Sequence, residues 1–394
     1  MGIKQLMALI QDKAPRAIKS LPLEHLTGKT VAVDASMAIY QFLIATQNVG
    51  RSVPGIMEMR DEEGNLTAHL VGIFYRTILL LENGLKPIWV FDGKPPQLKS
   101  KELDKRKEQK QQAEEERKKA EDAGDMERAK QMAGRSIRIT DEMMQDAKKL
   151  ARLIGVPVIE APCEAEAQCA EIVKMGLAYA TVTEDMDALT FGTNYLLRGV
   201  KPKELCCQID HKEILAGFEM TQAEFVDLCI LCGCDYTQNI GGLGPVTAFK
   251  MIKEHGNIEA VLEVVKTAND DPLRKKKYII PDNFLYKESR GLFVEPDVIR
   301  DKEALEKLIE FKAPAEEELK TFLVDGKNCQ ETKVINGIER LKKSAGKKNQ
   351  TRLDGFFKST GVVLSSTKKV EAPKGKGGKG TAKKGLGGRK KSVA

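Results

Sequence analysis

The sequence has 394 residues, 31% of them charged and 5% aromatic, with a formal net charge of +7; it is long enough to bury one large core or two modest ones. It contains nothing near the ~20 consecutive apolar residues of a transmembrane helix. Its start, Met1-Gly2-Ile3-Lys4-Gln5-Leu6, lacks both the apolar run of a signal peptide and the Ser or Thr that myristoylation needs where Leu6 stands, so membrane and secreted classes are excluded and a soluble intracellular protein is expected.

Residues 1–18 read as an amphipathic opening. Residues 30–33 and 87–91 are short apolar runs that read as strands, with helical patterns over 37–45 and 70–82 between them. Residues 50–66 are polar and contain glycine, which indicates a loop or small hairpin. Residues 99–128 are dense in Lys, Glu, Arg, Gln and Ala without apolar periodicity, the pattern of a solvated helix or helix pair. Such a stretch could be a plain charged spacer. It lies between two acid-bearing strands, however, so an insertion there stands over whatever those strands present. Strand–helix alternation resumes over 153–235, with apolar runs at 156–159, 179–182 and 225–234. The eight cysteines read as reduced, buried thiols. Cys229-x-x-Cys232-x-Cys234 has no second Cys/His pair at zinc-ribbon spacing. Ile240-Gly-Gly-Leu-Gly-Pro-Val-Thr-Ala is a glycine-rich turn feeding a helix over 249–255, which either offers backbone N–H groups to an anion or is an ordinary corner. Residues 256–341 read as mostly helical with a loop at 272–281. From Lys342 to Ala394 there are 16 Lys/Arg against 2 Asp/Glu, a tail of +14 that leaves −7 on the rest. Its Lys, Gly, Ser and Ala cannot build a core and should be disordered.

Carboxylates follow the apolar runs one after another: Asp34, Asp92, Glu164 with Glu166, Asp185 with Asp187, and Asp235. If those runs are parallel strands, the acids gather at the carboxyl edge of one sheet, where such sheets bind ligands. Any one of them alone would more often be a helix cap or turn residue. Together they would repel one another without cations, and hard oxygen donors in that number suit Mg²⁺ or Mn²⁺. The chemistry that uses two such ions, roughly 3.5–4 Å apart, is phosphoryl transfer and phosphodiester hydrolysis.

Five motifs in order then match one family: Val33-Asp-Ala-Ser-Met-Ala-Ile-Tyr, Val90-Phe-Asp-Gly-Lys-Pro-Pro, Ala161-Pro-Cys-Glu-Ala-Glu-Ala, Thr183-Glu-Asp-Met-Asp-Ala and Leu228-Cys-Ile-Leu-Cys-Gly-Cys-Asp-Tyr. They closely resemble the flap endonucleases, structure-specific 5′ nucleases of the Rad2/XPG family. The resemblance runs from Met1 to about Phe357. It implies an α/β fold: a mixed, mostly parallel central sheet flanked by helices, with a helical arch over 99–149, a helix–two-turn–helix at 236–255 and a disordered C-terminal tail. The nuclease core would be 1–341, with an N-terminal region 1–111 and an internal region 129–260. Asp34, Asp92, Glu164 and Glu166 would hold one Mg²⁺, and Asp185, Asp187 and Asp235 a second, with Mn²⁺ as a substitute. Lys99 and Arg106 would be catalytic, drawing the scissile phosphate to the metals; their bland alternative is salt-bridging to Glu102 and Asp104. Gly2, Tyr40, Arg76, Glu164, Gly242, Gly244 and Lys250 would contact DNA, with K⁺ at the glycine turn. There Val246 and Thr247 depart from the basic residues usual in the animal enzymes, and Lys250 and Lys253 could restore the charge. Glu62, Glu63, Thr67 and Phe322 would line a pocket for a one-nucleotide 3′ flap.

Gln350, Leu353, Phe356 and Phe357, over 350–357, fit the peptide that docks on the trimeric sliding clamp, proliferating cell nuclear antigen. The lysine clusters beyond read as nuclear targeting or DNA contact, with mitochondrial delivery a further destination. The expected activity is 5′ flap endonuclease and 5′→3′ exonuclease on flapped and nicked DNA, carried by a monomer. The sister nucleases carry a much longer insertion or a much longer C-terminal region. Readings from other classes are an endoribonuclease, usually shorter and without the glycine turn, and a non-enzymatic clamp-bound scaffold, which would not need all seven acids.

Overall fold

The computed structural model describes residues 2–47, 68–271 and 277–346. Seven strands form one sheet: β1 (Ile18–Leu21), β2 (Thr30–Asp34), β3 (Lys86–Phe91), β4 (Val158–Glu160), β5 (Ala180–Val182), β6 (Tyr195–Arg198) and β7 (Cys206–Asp210), in the order β1-β7-β6-β5-β2-β3-β4. β6, β5, β2, β3 and β4 run parallel, and β7 and β1 add antiparallel pairings at one side. The strand order reverses beside β2, where β3 lies on one flank and β5 on the other. A crevice outside the carboxyl ends therefore opens at that point.

Both faces of the sheet are covered, which is why the runs are continuously apolar instead of alternating. Val31, Val33, Trp89, Phe91, Ala180 and Val182 pack one way, against the helices Ala35–Gln47, Ala68–Glu82 and Asp141–Ile154. Ala32, Ile88, Val90 and Ile159 pack the other way, against Ala165, Cys169 and Ile172 of the helix Ala165–Lys174. A one-residue slip in register would exchange these two sets. The buried indole of Trp89 donates from Nε1 to Thr77 Oγ1 at 3.0 Å, so its one polar atom is satisfied.

Two expectations are corrected. The amphipathic opening is helical only over Leu6–Lys13; Pro15 cannot continue the helix, and Ile18–Leu21 leaves it as an edge strand. The apolar run 225–234 is not a strand and is helical up to Cys232, in the helix Gln222–Cys232. Its start is a capping box in which Thr221 and Glu224 exchange hydrogen bonds, and it ends at Gly233 with φ +114°. Burial all round, not the type of element, made that run apolar.

The charged insertion is a long helix, Ser100–Asp122, and a second, Met126–Arg135. Gly124 at φ +75° makes the turn between them, and Asp125 caps the second helix by accepting the Arg128 N–H. The next helix, Asp141–Ile154, straddles the expected arch boundary at 149 and sends Ala147, Leu150, Ala151 and Ile154 into the core. Among the described residues no helix is long and apolar enough to cross a membrane. The expectations placed on 48–67 and 347–394, including Glu62, Glu63, Thr67 and the clamp peptide, lie outside the described residues.

Candidate active site

The sheet delivers its acids to one edge. Asp34 ends β2 and is 2% exposed. Its Oδ1 accepts the Met37 N–H at 3.0 Å and its Oδ2 the Thr183 hydroxyl at 2.9 Å. Asp92 follows β3 and accepts the Ala165 N–H at 2.8 Å, at the start of the helix that carries Glu166. Helix dipoles favour a carboxylate in that place. Glu164, the residue before that helix, is buried. Asp185 and Asp187 follow β5, both buried, and Asp185 Oδ1 accepts the Asp187 N–H at 3.0 Å. Asp235 follows the helix Gln222–Cys232, just past its Gly233 cap. Gly2 lies against the pair: at φ +74°, a Cβ there would stand 1.9 Å from Asp185 Oδ1 and 2.3 Å from Asp187 Oδ1. Only glycine fits so close to the acids.

The insertion closes over this edge. Lys99, the residue before its first helix, bonds Glu164 Oε1, with the same ammonium 3.6 Å from Asp235 Oδ2. Arg106 reaches Asp235 Oδ2 at 2.8 Å while also bonding Glu102 at 3.1 Å. The bland salt bridge to Glu102 and the reach to the acid edge are thus both present. Burial opposes the Lys99 charge, but Glu164, Glu166 and Asp235 outweigh it and hold its pKa above the usual lysine range. Beneath the two insertion helices is a cleft of about 860 Å³, lined among others by Tyr40, Asp92, Lys99, Arg106, Glu164 and Asp185. Lys110 Nζ lies 5.7 Å from the Tyr40 ring centroid, so that ring faces the cleft's cations.

Other expected residues stand elsewhere. Arg76 is not among those lining the cleft; its guanidinium lies 5.0 Å from the Phe42 ring, and burial lowers its pKa to about 10. Gly242 (φ +82°) and Gly244 sit at the turn into the helix Pro245–His255, whose Gly244 cap bears no side-chain bond, and Lys250 lies within that helix. Lys253, a candidate for replacing charge there, is engaged by Glu219 at 2.6 Å. Phe322 is buried under Lys149, 4.6 Å from its ring. Two residues went unassigned in the sequence: Thr183, which bonds Asp34, and Tyr236, which bonds Glu164 Oε2. Their adjacency to Asp185 and Asp235 was the available signal.

The fit of this edge to divalent cations can be tested on its electrostatics. Burial and the neighbouring Asp92 charge push Asp34 up to about 7, against hydrogen bonds from Met37 and Thr183 that oppose the rise. Burial, then Asp34 and Asp92, raise Glu166 well above its ordinary value; burial, then Asp185 and Asp235, do the same to Asp187. Asp187 Oδ1 is buried with no hydrogen-bond partner. These are oxygen donors short of positive charge, and hard divalent cations suit them. Among the described residues no three acids, histidines or cysteines are grouped so as to hold a metal ion as they stand. The acids stand apart, and Lys99 and Arg106 neutralise two of them.

The XPG N-terminal domain model matches residues 1–113 and the XPG I-region model residues 155–235. The catalytic core of Rad2 in complex with DNA substrate shares the fold with a TM-score of 0.67 and 26% identity, over 86% of this chain and 100% of that one. Flap endonuclease-1 from Methanococcus jannaschii gives 0.63 and 31%, over 86% and 99%. Fold, acid edge and paired domain matches define a nuclease of the XPG class. Flap endonuclease 1 of Tetrahymena thermophila is 48% identical over 372 residues, 94% of this chain and 96% of that relative. Within the class, the chain belongs to the flap endonuclease 1 family.

Proposed function

We propose that this chain is a structure-specific 5′ flap endonuclease and 5′→3′ exonuclease. It would cut at the flap–duplex junction by two-metal-ion phosphodiester hydrolysis, in Okazaki-fragment maturation and long-patch base-excision repair. The observation that carries this reading is a sheet edge lined by acids from separate segments: Asp92, Glu164, Glu166 and Asp185 line the cleft beneath a helical insertion whose Lys99 and Arg106 reach Glu164 and Asp235.

Two Mg²⁺ ions, or Mn²⁺ in their place, would supply ionised water and charge stabilisation at the scissile phosphate. Asp34, Asp92, Glu164 and Glu166 would hold one and Asp185, Asp187 and Asp235 the other. Lys99 and Arg106 exchange their carboxylate partners for the phosphate and draw it to the acid edge. Tyr40 stacks on a base from the cleft wall. Gly2 keeps the approach to Asp185 and Asp187 open. The insertion, closing over the cleft, selects a strand with a free 5′ end that can thread it. The amides about Gly242 and Gly244, with Lys250 and a K⁺ ion, hold the duplex backbone. The nuclease core is 1–341. The tail docks the monomer on the clamp trimer through 350–357 and directs it to the nucleus.

Cleavage of a labelled double-flap DNA with Mg²⁺ or EDTA, beside an equivalent single strand, tests this. A Mg²⁺-dependent cut at the junction with the single strand spared is expected. Cleavage of both would mean a less selective nuclease, and binding without cleavage would favour a scaffold.

A further inference from the structure

Tyr236 is 3% exposed, immediately follows Asp235, and donates its hydroxyl to Glu164 Oε2. A residue needed only for packing would gain nothing from a buried phenol oxygen, which must find a partner. Its ring is wedged against Phe293, with centroids 4.9 Å apart at 55°. The other oxygen of Glu164, Oε1, belongs to Lys99, a long side chain on the insertion. The two donors on this carboxylate differ in kind. Lys99 is a cation that the proposed mechanism sends to the phosphate. Tyr236 is rigid, neutral and locked in the core.

We propose that Tyr236 is a positioning residue for the reaction: its hydroxyl holds the Glu164 carboxylate in its working orientation once Lys99 has left it. The inference rests on the two-metal reading above and adds a residue that acts through Glu164 without touching metal or DNA. Because the phenol lies on the loop that carries Asp235, it also ties one proposed metal group to the other.

Tyr236→Phe keeps the ring and removes the hydroxyl. Loss of an outer hydrogen bond to a metal-holding group typically costs about 10–100-fold in metal affinity or activity. Binding of Mn²⁺ alone, followed by the EPR signal of the free ion, should therefore weaken about tenfold or more. On flap DNA at saturating Mg²⁺, kcat should fall by a similar factor while KM stays within about threefold. Phe293→Leu, which loosens the ring and spares the hydroxyl, should change neither to that extent. In a Glu164→Gln background the Tyr236→Phe effect should largely vanish, because the two act as one unit. Tyr236→Phe protein that matches wild type in Mn²⁺ affinity and kcat, or an undiminished effect in the Glu164→Gln background, overturns the inference and leaves the nuclease reading intact. Wild-type protein that neither binds Mn²⁺ nor cuts flaps overturns both.

Discussion

Each acid at the sheet edge carries a distinct local environment, and that is where substitutions are most telling. Asp185 bonds the Asp187 N–H and stands beside Gly2. Asp185→Ala should abolish cleavage while flap binding stays within a few-fold; retained turnover would remove Asp185 from the metal site. Gly93 locks the Asp92 loop to the Glu164 loop, donating to Cys163 O at 2.7 Å, and a Cβ there would sit 2.1 Å from Ala161 O. Neither backbone can yield cheaply, so Gly93→Ala should cost about 1–3 kcal/mol, lower the melting temperature and slow cleavage. An unshifted melting curve would contradict that packing. Asp34 gives a pH signature. Its carboxyl is raised from 3.8 to about 7, so the metal-free folded state binds a proton that the unfolded chain has released. The stability this contributes is complete below about pH 4 and lost as pH rises through about 7. A divalent cation held by Asp34 would take the place of that proton. Mg²⁺ should therefore raise the melting temperature more at pH 8 than at pH 6, and an equal increment at both would argue against Asp34 as a ligand.

At the scale of elements, the helix that precedes the glycine turn is tied to two later helices by one arginine. Arg290 bonds Asp227 at 2.6 and 2.7 Å and Glu259 at 3.0 and 2.9 Å, and Asp227 also accepts the Ile258 N–H at 3.0 Å. Three helices, Gln222–Cys232, Ile258–Asp270 and Tyr286–Val294, meet at this cluster. Asp227 is 3% exposed. Removing one partner of a buried pair leaves the other uncompensated, which costs about 3 kcal/mol or more. Asp227→Ala should thus lower the urea midpoint and weaken duplex binding, while Mn²⁺ binding at the acid edge changes little. A midpoint within error of wild type would show that solvent already meets these charges.

For the whole molecule, charge is divided between an acidic folded part and a basic tail. Cutting and recruitment are accordingly expected to be separable. Changing Phe356 and Phe357 to Ala should abolish stimulation by the sliding clamp and leave intrinsic cleavage unchanged. Stimulation that survives would refute the docking peptide.

Much of this was legible in the chain itself. Each strand next to an acid is a short apolar run, because a strand buried on both faces leaves no polar alternation. The carboxylate after each run then marks the edge of the sheet. The insertion was legible as charge without periodicity, and the glycine turn as a break between helices. The sequence alone could not reveal partners far apart in it. Lys99 meets Glu164 across 65 positions and Arg106 meets Asp235 across 129. Nor could it tell that residues 225–232 are helical, since full burial erases the periodicity that separates helix from strand. Tyr236 looked like part of a motif until the fold set its hydroxyl on Glu164. Local patterning determined which elements form and which acids they end on. Long-range packing alone decided which side chains hold those acids in place, because a contact between distant segments leaves no trace in the period of either one.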